Sequence, residues 1–252
     1  MVKTMNEMDL KLKLFTGVPI HVDGFGYVEP LTIKEIVDFG YSEYLKSLNL
    51  LCLDKKDLFG DNVIDGIDDI SVLSILIQLG DEDIYSQLKK SLSFFFKAEV
   101  EIDKIKYCVY IKKDDDEKVL NDENFNNVIE VIKWQNYIKH FEEKDISITS
   151  EDEKIKKFKN RLKEKQKKIK EIKKKRGEEE EGENNINFFD ILSSISSKSY
   201  SINEINVKDL TIYQVYSKFK RLDELEKYDL NVKSLLAGAK DVKLKHWSSK
   251  VD

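Results

Sequence analysis

Histidine and cysteine are the side chains best suited to nucleophilic or metal chemistry, and in this chain their spacing argues against both. His21, His140 and His246 stand far apart, none with a partner at the separation of a metal-ligand set or a nucleophile and its base. Cys52 and Cys108 make neither a CxxC pair nor a ligand pattern, so neither a disulfide framework nor a zinc site is expected. The acidic stretch DNVIDGIDDI from Asp61 imitates a calcium loop, but Val63 takes a ligand position and Val72 stands where the bidentate Glu belongs. Gly24 and Gly26 begin a phosphate-binding pattern that Glu29 breaks, and no long strand-to-helix unit surrounds them. Surface acids are too numerous for any two to be assigned as acid and base. These residues predict a protein that is not an enzyme and holds no metal or cofactor.

What remains is charge. The formal net charge of −5 conceals an uneven distribution: Lys154 to Arg176 holds fourteen Lys or Arg against two Glu, while the rest of the chain sets 29 basic residues against 46 acidic ones. Within the basic run Ile155, Phe158, Leu162, Ile169 and Ile172 recur three and four apart, interrupted at Lys165, the spacing of a helix with one coiled-coil-like apolar seam. Two such helices in parallel would set Lys159, Arg161, Lys168, Lys173 and Lys175 against other cations, so self-pairing by the seam is disfavoured. The run needs an acidic partner. Nucleic acid, another protein or the acidic remainder of this chain would serve; phosphate contacts need only Lys and Arg, but no aromatic platforms are interleaved for bases to stack on. Those five side chains are the candidate nucleic-acid contacts. A solvated helix docked by its seam on protein is the plainer reading of the same run.

The flanking elements are read from periodicity and caps. A chain of 252 residues with 40% hydrophobic content can bury a sizeable core. LKLFTGVPIHVDGFGYVEP turns at Asp23-Gly24 and predicts a β-hairpin. In Leu31-Thr32-Ile33-Lys34-Glu35-Ile36, Thr32 and Glu35 have the spacing of a capping box and Leu31 that of a staple on Ile36, which starts a helix whose periodicity sets Ile33, Ile36, Val37, Tyr41, Tyr44, Leu45 and Leu48 on one inner face, with Gly40 its weak point. Helices are expected over 71–79 and 82–97, a second hairpin over 99–112 with Val100, Ile102, Tyr107, Val109 and Ile111 facing inward, a solvated loop at Asp114 to Glu117, and a helix from near Asn121 carrying Val128, Ile129, Ile132 and Phe141. Beyond the acidic run 178–181, FFDILSSISSKSYS reads as a short helix or hydrophobic anchor followed by a Ser-rich connection. Leu210-Thr211-Ile212-Tyr213-Gln214-Val215 then repeats the capping box, followed by one helix through Leu225 and a final one ending at Gly238. The longest apolar runs, SVLSILIQLG and SLSFFFK, are too short to cross a bilayer, and the first residues lack the apolar core of a signal peptide, so a cytoplasmic protein without membrane contact is expected.

Two blocks carry a resemblance. KLFTGVPIHVDGFGYVEPLTIKEIVDFGYSEYLKSL near the start and LTIYQVYSKFKRLDELEKYDLNVKSLLAGAKDVKLKHW near the end are similar to a family of proteins of tailed phages and prophages of low-GC Gram-positive bacteria, encoded among tail-morphogenesis genes. Between the blocks only the layout is alike. The resemblance implies a tail assembly factor in the host cytoplasm, with the nearest analogy in the chaperones that bind the tape measure protein, and it transfers no catalytic residue.

The expected fold is α+β and predominantly helical, with short N-terminal β-hairpins. An N-terminal α+β domain covers 1–145, a long basic connecting helix and acidic linker cover 146–187, and a small helical domain covers 188–252. Helix-in-groove recognition of an amphipathic partner would use Tyr213, Tyr216, Phe219, Tyr228 and Trp247 of the C-terminal domain, unless these aromatics fill its core. Nucleic-acid binding through 154–176 and a minor structural role in the virion are the alternatives. A homo-oligomer is compatible with each of these.

Overall fold

The computed structural model describes residues 6–55, 58, 70–78, 82–114, 116–138, 186–239, 242 and 244–248. Among them the fold is α+β and predominantly helical. The basic segment 154–176, with Lys159, Arg161, Lys168, Lys173 and Lys175, lies outside the described residues, as does Phe141.

The first element is a helix where a hairpin strand was expected. α1 (Glu7–Thr16) starts at Asn6, whose side chain accepts from the Met8 amide, carries Glu7 and Asp9 in its first turn, and stops at Gly17 with φ 72°. The hairpin is shorter than predicted: β1 (Ile20–Val22) pairs antiparallel with β2 (Gly26–Val28), Ile20 opposite Val28. Gly24 turns the chain at φ 75°.

Thr32 caps α2 (Ile33–Phe39) through the expected capping box. Gly40 does more than weaken this helix. At φ 96° it ends α2 and a new helix, α3 (Tyr41–Leu51), begins at the next residue. α4 (Val72–Gln78) and α5 (Glu82–Phe96) follow. Ser71 and Ser74 hydroxyls both donate to Asp122 Oδ1, fastening the start of α4 to the start of α6 (Asp122–Gln135).

Between α5 and α6 lies a three-stranded antiparallel sheet in the order β3 (Glu99–Asp103), β4 (Cys108–Lys113), β5 (Asp116–Leu120). β5 corrects the expected loop: Asp116 and Glu117 open a strand that turns Leu120 into the core opposite Val109. Tyr107, expected to face inward, instead sits in the β3–β4 turn at φ 51° and is exposed, while Val109 and Ile111 face in as predicted. Buried amides lock these pieces together. Asn124 Nδ2 donates to the carbonyls of Gly24 (2.9 Å) and Val119 (2.8 Å), and Gln135 Nε2 to that of Val28 (3.1 Å).

The C-terminal segment comprises α7 (Phe188–Lys198), a 3-10 turn (Val207–Asp209) and α8 (Ile212–Leu236). α8 is one unbroken helix of 25 residues rather than the two expected. Ile191, Ile195, Ile212 and Val215 belong to the same buried cluster as Leu51, Leu88, Leu120 and Phe125, so the two ends of the chain share a core.

Candidate interaction surface

The two capping boxes, 179 residues apart in sequence, meet at the joint between the N-terminal and C-terminal segments. Thr32 and Thr211 form an antiparallel β-bridge, and the Ile33 amide donates to the Leu210 carbonyl at 2.9 Å. Each threonine keeps its own box: Thr32 Oγ1 accepts from the Glu35 amide while Glu35 Oε2 accepts from the Thr32 amide, and Thr211 and Gln214 repeat the exchange. Gln214 has a second task, since its Nε2 donates to the Phe15 carbonyl at 3.0 Å and so ties α8 to the last turn of α1. Gly17 lies against this contact; a Cβ there would come within 3.2 Å of Gln214 Nε2 and 3.3 Å of Thr211 Cγ2.

Rings continue the joint. Tyr137 stacks on Tyr216 at 5.3 Å and leans on Tyr213 at 5.5 Å; Phe188 touches Tyr216 at 6.1 Å and stacks on Tyr41 at 5.2 Å. Tyr41 leads to Tyr44, Phe95, Phe94 and Phe39 in further ring contacts. An aromatic belt therefore runs from α2 through the body to α8.

The candidate aromatics separate along this geometry. Tyr213, Tyr216 and Phe219 are half-buried and packed on the shared core. Tyr228 is half-buried farther along α8, and Trp247 is 51% exposed, its carbonyl accepting from Arg221 Nη1 at 3.1 Å. Beyond Val215 no residue of α8 is fully buried. Leu230, Leu235 and Leu236 at its far end, with Leu244 and Trp247 of the tail beside it in sequence, present large apolar side chains to solvent. The tail is held to the helix by the Arg221 bond and by Lys245 beside Glu224 at 3.4 Å.

Polar groups with displaced pKa values are engaged in structure. Burial pushes the Glu35 carboxyl up, but hydrogen bonds from Lys97 (2.6 Å) and the Thr32 amide, with the charge of Lys97, outweigh it and hold the group below its ordinary range. Hydrogen bonds from Lys46 and Lys90 bring Glu43 down to about 2. Burial raises the phenols of Tyr44, Tyr213 and Tyr216, keeping them neutral. Among the described residues no group of three or more His, Cys, Asp or Glu is placed to hold a metal, and no helix is long and apolar enough to cross a membrane.

One exposed surface was missed by reading the N-terminus as a strand. Met8, Leu12 and Phe15 line the outer face of α1. Their four- and three-residue spacing between Asn6 and Gly17 is the signal that would have found it.

Comparison with known proteins bears on the C-terminal part. No curated protein and no solved structure matches the chain. Residues 174–252, which include α7, α8 and the tail, match the family model described as YomV second domain, so this part of the chain is similar to a phage-associated domain.

Proposed function

We propose that the protein is a non-enzymatic tail assembly factor of a phage, a chaperone that binds the tape measure protein in the host cytoplasm during tail morphogenesis. The observation that carries this reading is the far end of α8. Leu230, Leu235, Leu236, Leu244 and Trp247 expose apolar surface in the part of the chain that is similar to a phage-associated domain. A tape measure protein is long and amphipathic, and a helper must cover its apolar helical stripe until the tube does so; an apolar helix end with a flexible choice of side chains suits that task. Tyr213, Tyr216 and Phe219 are engaged on the shared core at the start of α8, away from this end, which leaves Tyr228 and Trp247 as the aromatic contacts for the partner.

Co-expression with the tape measure protein and capture through a tag on this chain tests the reading. Enrichment over a scrambled partner is expected, and its loss on changing Leu236 and Trp247 together to Ser. No enrichment of the wild-type chain would overturn it. The density of Lys and Arg over 154–176 favours nucleic-acid binding as a second reading. DNA affinity falling steeply with salt would support that, since each phosphate contact releases counterions. A minor structural protein would be retained in purified virions, where a chaperone is absent.

A further inference from the structure

α1 is apolar on two faces, and the fold uses only one. Leu10 and Leu14 pack inward, yet Met8, Leu12 and Phe15 on the opposite side are 61%, 54% and 57% exposed, with Val18 continuing the strip beyond Gly17. Large apolar side chains in helical register form a contiguous patch, unlike the single exposed leucines normal on any surface. The charges on this helix are segregated along its axis. Glu7 and Asp9 occupy the first turn, Lys11 and Lys13 the part that follows.

A helix laid antiparallel on this strip must be acidic at its own N-terminal end and basic at its C-terminal end for opposite charges to meet, and its dipole then opposes that of α1. α1 itself meets those requirements. We infer that α1 pairs with α1 of a second copy across a two-fold axis, Met8 of each against Leu12 of the other, with Glu7 of each facing Lys11 of the other along one flank. Such a contact is self-complementary, as a closed dimer requires. The Glu7–Lys11 pair within each helix is solvent-exposed, and exposed pairs contribute little to stability, so sharing it across the axis costs the monomer little. The strip is much smaller than the roughly 20–30 residues a side of a standard interface, so the dimer is weak, with a Kd on the order of 10–100 μM.

Sedimentation equilibrium of the full chain tests this directly. The wild type is expected to pass from monomer to dimer across that range and to dissociate as salt rises, and Leu12→Ser is expected to weaken association at least tenfold. The variant Glu7→Lys and the variant Lys11→Glu should each be monomeric alone, yet form a dimer when mixed. Circular dichroism melts confirm that each variant is folded. A wild type that stays monomeric at millimolar concentration, or charge variants that dimerise alone, would overturn the inference. So would a monomer whose capture of the tape measure protein is lost in Leu12→Ser, which would assign the strip to that partner.

Discussion

Ser47 and Tyr44 lie one turn apart on α3 and put opposite demands on the core. The Tyr44 hydroxyl donates to Asn136 Oδ1 at 2.8 Å, and Asn136 Nδ2 donates onward to the Ile132 carbonyl, so the phenol anchors α3 to the end of α6. Ser47 is fully buried and its Oγ has no hydrogen-bond partner among the described residues. Tyr44→Phe leaves the Asn136 oxygen buried without its donor, which costs about 1–3 kcal/mol. Ser47→Ala removes a desolvated hydroxyl and is expected to be neutral or to stabilise by about 1 kcal/mol. Urea unfolding of the two variants decides; if Ser47→Ala loses as much as Tyr44→Phe, that hydroxyl has a partner in solution. Sequence reading placed Tyr44 on the inner face of its helix by periodicity. It gave no account of the phenol's partner 92 residues away, because a side-chain hydrogen bond of that range leaves no local pattern.

At the scale of elements, what was legible is what local chemistry determines. Thr32 with Glu35 and Thr211 with Gln214 announce helix starts by residue type and spacing alone, and both boxes form. The misreadings arose where two local patterns compete. Leu10 to Phe15 alternates apolar and charged residues as a strand would, but Asn6, the first-turn acids and Gly17 bracket a helix, and the helix prevails. Asp114 to Glu117 is acidic enough to suggest a loop, yet Val119 and Leu120 gain a partner strand in β4 and the acids come along as the exposed end of β5. The pairing of the two boxes with each other was not legible, since nothing in either hexapeptide specifies its neighbour. That joint yields an element-scale prediction. Gly17→Ala must adopt φ 72° and push on Gln214 and Thr211, and Thr211→Ala removes a cap; each is expected to cost about 1–2 kcal/mol. Because both act on one contact, the double variant should lose less than the two single losses combined. Additive losses in thermal melts would mean that the α1 end and the α8 cap are energetically separate.

For the whole molecule, one ring of α8 joins the N-terminal and C-terminal segments. Tyr137, next to the last described residue of the N-terminal part, stacks on Tyr216, and Phe188, the first residue of α7, touches the same ring. The shared core of Ile195, Ile212 and Val215 with Leu88 and Leu120 is thus built by residues that lie on either side of 139–185 in sequence. A variant joining Ile138 to Ile186 through about eight Gly and Ser residues, whose mean span is roughly 15 Å, more than bridges the two ring contacts. Closing a shorter loop costs the unfolded chain less entropy, so this variant is expected to fold, with a Tm equal to or a few degrees above that of the full chain. It also removes the fourteen Lys and Arg of 154–176, which shifts the remaining charge to an acidic balance. If the apolar end of α8 binds the tape measure protein, capture should survive the deletion, whereas any salt-sensitive DNA binding should vanish with the basic segment. Loss of folding in the deletion variant would show that 139–185 contributes to the core; loss of capture with folding intact would move the partner site from α8 to the basic segment.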